Sequence, residues 1–375
     1  MRLFLRGLLR GLRRGGSQAS LLGVDLGNAS VRVVELGGSA ERPVLQALTC
    51  EALDKGVMND GQVEDFDAAA AALRRAVQRC GTGTRRAALA LPAAGVVTQR
   101  LSLPAGLTEA ALEQRVQAAA QHHFPFAPDE MGLDFCVLGP AEAAGQVDVL
   151  MAASRQDRVQ DRQGVAEAAG LEPVVLDVEP HAAHRALARI AASLPVGAQA
   201  DAAGAGPGPA AAVALFEIGA FATLLKLLRG EEVLYARELP VGGAQFTRLI
   251  ARHCGLGFDA AEQMKLAGTV PAALAPMLQA EFADGLAQEL ARALRIGLAS
   301  SPCHDACRIV LAGATAALPG LQACVARLTH LETHVADPFA GMARADGLAA
   351  ERLAALAPGC LTACGLALRR FHPCC

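Results

Sequence analysis

The chain has 375 residues, more than one ordinary core accommodates, and 53% of them are apolar, so two or more domains with large interiors are expected. A formal net charge of −3, no Trp and a single Tyr count against a nucleic-acid partner. The eleven cysteines include no CxxC pair, and their tightest group, Cys303, His304 and Cys307, lacks a second ligand pair, so incidental reduced thiols are expected rather than disulfides or zinc.

Residues 1–16 form a leader in which Arg2, Arg6 and Arg10 recur four apart among leucines. Residues 1–14 fit either a helix lying on a membrane surface or a disordered basic segment, with Gly7 and Gly11 weakening the helix. No apolar run reaches the roughly 18–20 residues of a membrane span. Strands are predicted at Leu21–Val24 and Ser30–Leu36, turning through Asp25-Leu-Gly-Asn28, and a helix follows over residues 66–80. Further strands at 86–91 and 96–103 stop at Pro92 and Pro104. Thr108 caps a helix from Glu109 to His122, which His123-Phe-Pro-Phe126 cannot continue. His122 and His123 point in different directions on that helix and have no third ligand, so no metal site is expected there. A hairpin over 133–153, a helix over 156–169 closed by Gly170 and a strand at 174–178 complete the first half.

Residues 191–212 are Ala, Gly and Pro with few bulky side chains, which reads as a flexible linker. Strands at 213–218 and 223–228 then resume the pattern. Helices are predicted at 244–254, 258–267 and 277–300, a buried strand at 308–311, and helices at 318–328 and 361–370. One motif occurs twice. Asp25-Leu-Gly27 and Glu217-Ile-Gly219 each sit in the turn between two strands, one on either side of the linker. A small-residue turn brings backbone N–H groups close to phosphate oxygens, and an acid at the end of its first strand suits Mg²⁺ or the waters around it. Two such hairpins would clamp a triphosphate between two domains.

With those hairpins on view, the chain resembles the actin/Hsp70/FtsA superfamily and, within it, the PilM family of type IV pilus assembly proteins. The family marks run from Leu103-Pro-Ala-Gly-Leu107 and Phe124-Pro-Phe126 through Ala152-Ala-Ser-Arg155, Asp161-Arg162 and Asp177-Val-Glu179 to Gly242-Gly243, Asp337-Pro-Phe339 and Cys364-Gly-Leu-Ala-Leu368. The resemblance implies an α/β, actin-like (ribonuclease H-like) two-domain fold with an inserted subdomain. The first domain would take residues 20–97, 169–190 and 350–371, the inserted subdomain 98–168, and the second domain 213–349. It implies ATP with Mg²⁺ as ligand, contacted by Asp25, Gly27, Asn28, Ser30, Glu217, Gly219, Gly242, Gly243, Glu262, Lys265, Gly313, Ala314 and Thr315. Asp25 and Glu217 would face the metal, and Glu179 would orient water for at most a weak ATPase. Phe124 and Phe126 are the implied partner-binding residues.

The same resemblance implies a cytoplasmic adaptor, peripheral at the inner membrane, that docks the N-terminal tail of a PilN-like membrane protein and also contacts pilus motor ATPases. An actin/Hsp70-like ATPase or kinase, or an FtsA-like membrane-tethered filament protein, is the alternative. Two departures from the family pattern bear on hydrolysis: Glu217 where Asp is usual, and Gly313-Ala314 where a Gly-Gly pair is usual. Both are expected to permit binding and to slow turnover.

Overall fold

The computed structural model describes residues 20–193, 212–230, 232–302 and 306–371. The leader, residues 194–211 of the expected linker, and Cys303 with His304 lie outside them. Strand β1 (Leu22–Leu26) turns into β2 (Ser30–Gly38), which turns again into β3 (Pro43–Ala52). The two-residue strands β4 (Met58–Asn59) and β5 (Gln62–Val63) precede α1 (Phe66–Cys80). That helix begins where the Asp65 carboxylate accepts from the Ala68 N–H and ends on Gly81 in the left-handed region, φ 65°. Next come β6 (Arg86–Leu91), β7 (Val96–Pro104), α2 (Glu109–His123), β8 (Met131–Pro140), β9 (Gln146–Arg155), α3 (Gln156–Ala168), β10 (Glu172–Val178) and α4 (Glu179–Ser193). The second half runs β11 (Ala212–Ile218), β12 (Thr223–Arg229), β13 (Glu232–Leu239), α5 (Ala244–Cys254), α6 (Phe258–Leu266), α7 (Ala275–Ser300) and β14 (Ala306–Ala312). It closes with α8 (Leu321–Thr329), β15 (Glu332–Val335), β16 (Ala343–Arg344), α9 (Ala350–Leu356) and α10 (Leu361–Ala367).

The motif seen twice in the sequence belongs to a sheet that is built twice. The first has the order β10-β6-β1-β2-β3-β16 and the second β13-β12-β11-β14-β15. In each, the opening three strands are antiparallel neighbours and the next two join in parallel beside the first strand. This is the actin-like, ribonuclease H-like arrangement. Parallel joins need crossover helices, and those helices supply the cores. On one face of the first sheet α1 and α3 pack Leu73, Val77, Val159 and Val165 against Leu22, Val24 and Leu89. On the other face Ala182 of α4 and Leu366 of α10 pack against Ala88, Ala90 and Val175. The second sheet buries Phe216, Leu225 and Ile309 under α5, α7 and α8, where Phe246 and Phe282 stack with ring centroids 5.4 Å apart. A separate three-stranded antiparallel sheet, β7-β9-β8, forms its own core with α2 around Val116, Phe135 and Met151.

The chain divides into two compact units, residues up to Ala186 with Gly341–Leu348 and the residues from Thr362, and Leu187–Ala340 with Ala349–Leu361. The closing segment expected in the first domain over 350–371 therefore contributes to both. Its earlier part is tied to the second unit, where the Gly313 N–H donates to the Pro358 carbonyl at 2.7 Å. Its later part lies against the first, where a Cβ on Gly365 would stand 1.7 Å from the Ala182 carbonyl oxygen. Residues 350–370 also qualify, by length and composition, as an apolar helical run that could span a membrane, which corrects the expectation that none exists. More than half of that run is buried, with Ala363, Cys364, Leu366 and Ala367 at 0% exposure, so its apolar character serves the interior.

Candidate nucleotide site

The first hairpin turns tightly because the Gly27 N–H donates to the Ser30 carbonyl at 3.1 Å. Asp25 and Arg32 are direct cross-strand partners, and Arg32 Nη1 lies 3.2 Å from Asp25 Oδ2. The Asn28 side chain is half-buried. Its Oδ1 accepts the Gly61 N–H at 2.9 Å, tying the turn to the β4–β5 hairpin. Ser30 is buried at 8% exposure, so its hydroxyl is withdrawn from the surface of the turn. Arg162 of α3, 2% exposed, donates to the Leu26 carbonyl at 3.1 Å and to that of Gly61. Burial pulls its pKa down, and the nearby Glu179, Asp25 and Asp161 pull it back up. Glu179 stands in the first turn of α4, half-buried.

The second hairpin repeats the turn, with the Gly219 N–H donating to the Ala222 carbonyl at 2.9 Å. Its acid is paired differently. Glu217 faces Leu224 across the strands and reaches diagonally to Lys226, whose amine is buried. Two further loops of the same unit close on this turn. The Gly243 N–H donates to the Gly219 carbonyl at 3.0 Å, and the Ala244 N–H to the Ala220 carbonyl at 2.7 Å. A Cβ on Gly242 would stand 2.6 Å from the Gly219 oxygen. Gly313, at φ 93°, passes so close to β11 that its Cβ would lie 2.1 Å from the Ile218 oxygen. Gly243 and Thr315 also meet, since a Cβ on the glycine would touch Thr315 Oγ1 at 2.8 Å. The structure thus gathers Glu217, Gly219, Gly242, Gly243, Gly313 and Thr315 into one set of loops. Ala314 is exposed and free of strain, so the family's second glycine is replaced where a methyl meets open space.

Glu262 and Lys265 join this set through a residue that sequence reasoning passed over. The Thr247 hydroxyl donates to Glu262, accepts from Lys265 Nζ at 2.8 Å, and lies at the 3.5 Å limit from the Gly243 carbonyl. Lys265 also pairs with Glu262 at 2.6 Å. Thr247 gives no signal in sequence, because its neighbours on α6 are 15 and 18 residues away. Asp177 belongs to the Asp177-Val-Glu179 family mark, and its partners lie elsewhere in the chain. The Asp177 carboxylate holds Arg369 and Arg185, each at 2.8 Å, with Arg369 2% exposed. Burial pushes the Asp177 carboxyl up, but the two guanidinium groups outweigh it and hold it below the usual carboxylate range.

The structure bears on three expectations. Phe124 is 6% exposed within the core of the three-stranded subdomain, so that ring serves packing, while Phe126 packs against the same core and keeps part of its surface accessible. The glycine N–H groups expected to cradle phosphate at Gly27, Gly219, Gly243 and Gly313 are already donated to backbone carbonyls. Among the described residues, the turn-tip groups without a backbone acceptor are the N–H of Asn28 and Ala29 in one hairpin and of Ala220 and Phe221 in the other. The glycines shape the loops, and their neighbours offer the donors. The third concerns the metal. Asp25 and Glu217 each carry a cationic partner, and no group of three His, Cys, Asp or Glu side chains among the described residues is placed to hold an ion. One carboxylate with water is still a sufficient protein contribution for Mg²⁺, which keeps several waters.

Chemically, small-residue turns whose tip N–H groups lack a backbone acceptor suit the binding of an anion. The family model described as type IV pilus assembly protein PilM matches residues 23–371. A solved structure described as a PilM–PilN type IV pilus biogenesis complex is similar at 30% identity, covering 94% of this chain and 99% of that one, with a TM-score of 0.68. The ethanolamine utilization protein EutJ from Carboxydothermus hydrogenoformans shares the fold at 19% identity and a TM-score of 0.53, covering 97% of this chain and 95% of that one. With nearly the whole length matched and both sheets, both hairpins and the intervening subdomain present, the chain belongs to the PilM family of type IV pilus assembly proteins.

Proposed function

We propose that this chain is a nucleotide-responsive adaptor of the type IV pilus assembly platform, cytoplasmic and peripheral at the inner membrane, that docks the N-terminal tail of a PilN-like membrane protein. The observation that carries the reading is its 30% identity, over 94% of its length, to the protein solved as a PilM–PilN complex. The proposed ligand is ATP with Mg²⁺. Its phosphates would be met by the turn-tip N–H groups, and its metal would be held through waters facing Asp25 and Glu217. The gathering of Gly219, Gly243, Gly313 and Thr315 supports the nucleotide, since loops packed this tightly are preorganised before ligand arrives. Glu179 would orient water, and slow turnover suits an adaptor, which needs two states more than it needs flux.

The test is calorimetry with a synthetic peptide of the N-terminal tail of the same organism's PilN-like protein, run with and without ATP and Mg²⁺. Saturable binding that differs between the two conditions is expected. Absence of peptide binding in both would overturn the adaptor reading, and identical affinity in both would remove its nucleotide-responsive part.

A further inference from the structure

Arg162 occupies a position that neither nucleotide contact nor partner docking explains. It sits on α3, which follows β9 of the three-stranded sheet with no intervening residue. Its guanidinium reaches the first hairpin and donates to the carbonyl of Leu26, the residue before Gly27, and to that of Gly61. The Gly61 N–H in turn donates to Asn28, the residue after Gly27. One side chain therefore holds the first hairpin on both sides of its glycine, directly at Leu26 and through Gly61 at Asn28.

Stability alone would not select this side chain. A cation at 2% exposure loses most of its hydration, and among the described residues no carboxylate pairs with it within 4.0 Å. An apolar side chain of similar volume would fill the space at less cost. A guanidinium brings a planar fork that fixes two acceptors at once, so the position of the hairpin and the position of α3 become one variable. At its other end α3 is equally constrained. Its N-terminal Gln156 donates its N–H to the Glu130 carbonyl at 2.7 Å beside β8, and the helix packs against β8 and β9, while Val159, Val165 and Ala166 seat it in the core of the first sheet. Movement at the hairpin has a rigid route into the three-stranded sheet.

We infer that Arg162 is a positioning residue that couples the first hairpin to the three-stranded subdomain, so that a nucleotide on the hairpin regulates β9 and α3. This rests on the nucleotide reading above and adds the route by which the site acts. Hydrogen exchange tests it on the full-length protein, with ATP and Mg²⁺ as the probe and Arg162→Lys as the variant, since lysine keeps the charge without the two-acceptor fork.

In the wild type, ATP is expected to slow exchange about fivefold or more both at residues 25–30 and at residues 146–168. In Arg162→Lys the slowing should persist at 25–30 and vanish at 146–168. A merely structural role would raise exchange in the ligand-free variant and leave the ATP-dependent ratio at 146–168 unchanged, which would overturn the inference. Slowing confined to 25–30 in the wild type would overturn it as well, and this arm decides the matter if the variant does not fold. No ATP effect anywhere in the wild type would instead sink the nucleotide reading on which the inference depends.

Discussion

The two hairpins share a topology and differ in what holds them. In the first, Asp25 meets Arg32 straight across the strands, and the turn is clamped by Arg162 from α3 and by its own Asn28 side chain accepting from Gly61. In the second, Glu217 reaches diagonally to Lys226, and the turn is held by backbone against backbone, with glycines at 242, 243 and 313 allowing the approach. A duplicated sheet fixes where each turn must be. It leaves open whether polar side chains or close-packed main chain secures it. The first hairpin should therefore be sensitive to removal of polar groups and the second to the addition of a single methyl.

The largest effect is expected from Arg369→Met, which leaves Asp177 buried with only the half-exposed Arg185 as partner. Breaking one side of a buried ion pair costs about 3–5 kcal/mol, read as a fall in denaturant midpoint. In the second unit, Gly313→Ala should cost about 3 kcal/mol, combining a φ that side chains rarely adopt with a Cβ inside contact distance of β11. Insensitivity to that methyl would break the comparison, since the second hairpin would then not depend on close approach. Thr247→Val should cost about 1 kcal/mol, because it removes the hydroxyl that joins Glu262 and Lys265 but keeps its volume.

The pH dependence sharpens the first unit further. Desolvation lowers the pKa of His181 although part of its ring reaches solvent, and the positive charge of Arg185 and Arg369 adds to the shift while Asp177 opposes it. A depressed histidine takes its proton more readily when unfolded, so stability should decline as pH falls below about 6.5. Asp177 is also depressed, so its contribution is complete above about pH 4 and is lost as pH falls through the lower folded value. Denaturant midpoints at pH 7.5 and 5.5 should therefore differ in the wild type and converge in His181→Gln. The further loss below about pH 4 should be missing in Asp177→Asn.

Local signals carried much of the fold. The Asp65 cap and Gly81 stop bound α1, and the paired acid-x-Gly turns announced both sheets and the residues at their tips. Strands β3 and β13 were not foreseen, β13 because its outward residues leave little alternation to read. Helix α4 starts with Pro180 in its first turn, where a missing N–H costs nothing, although the same proline reads as a breaker in sequence. The candidate site was legible as a set of turns and illegible as a set of supports. Arg162 lies 136 residues from Leu26, and Arg369 lies 192 from Asp177, separations over which no periodicity or spacing rule operates. Phe124 illustrates the reverse case, in which a conspicuous aromatic serves packing.

The account stands or falls on nucleotide binding at turns of this kind. Calorimetry with ATP, with and without Mg²⁺, on the wild type and Asp25→Asn addresses it most directly. Saturable binding strengthened by Mg²⁺ in the wild type, with the Mg²⁺-dependent gain lost in Asp25→Asn, is the predicted result. Absence of binding in the wild type under both conditions would contradict it.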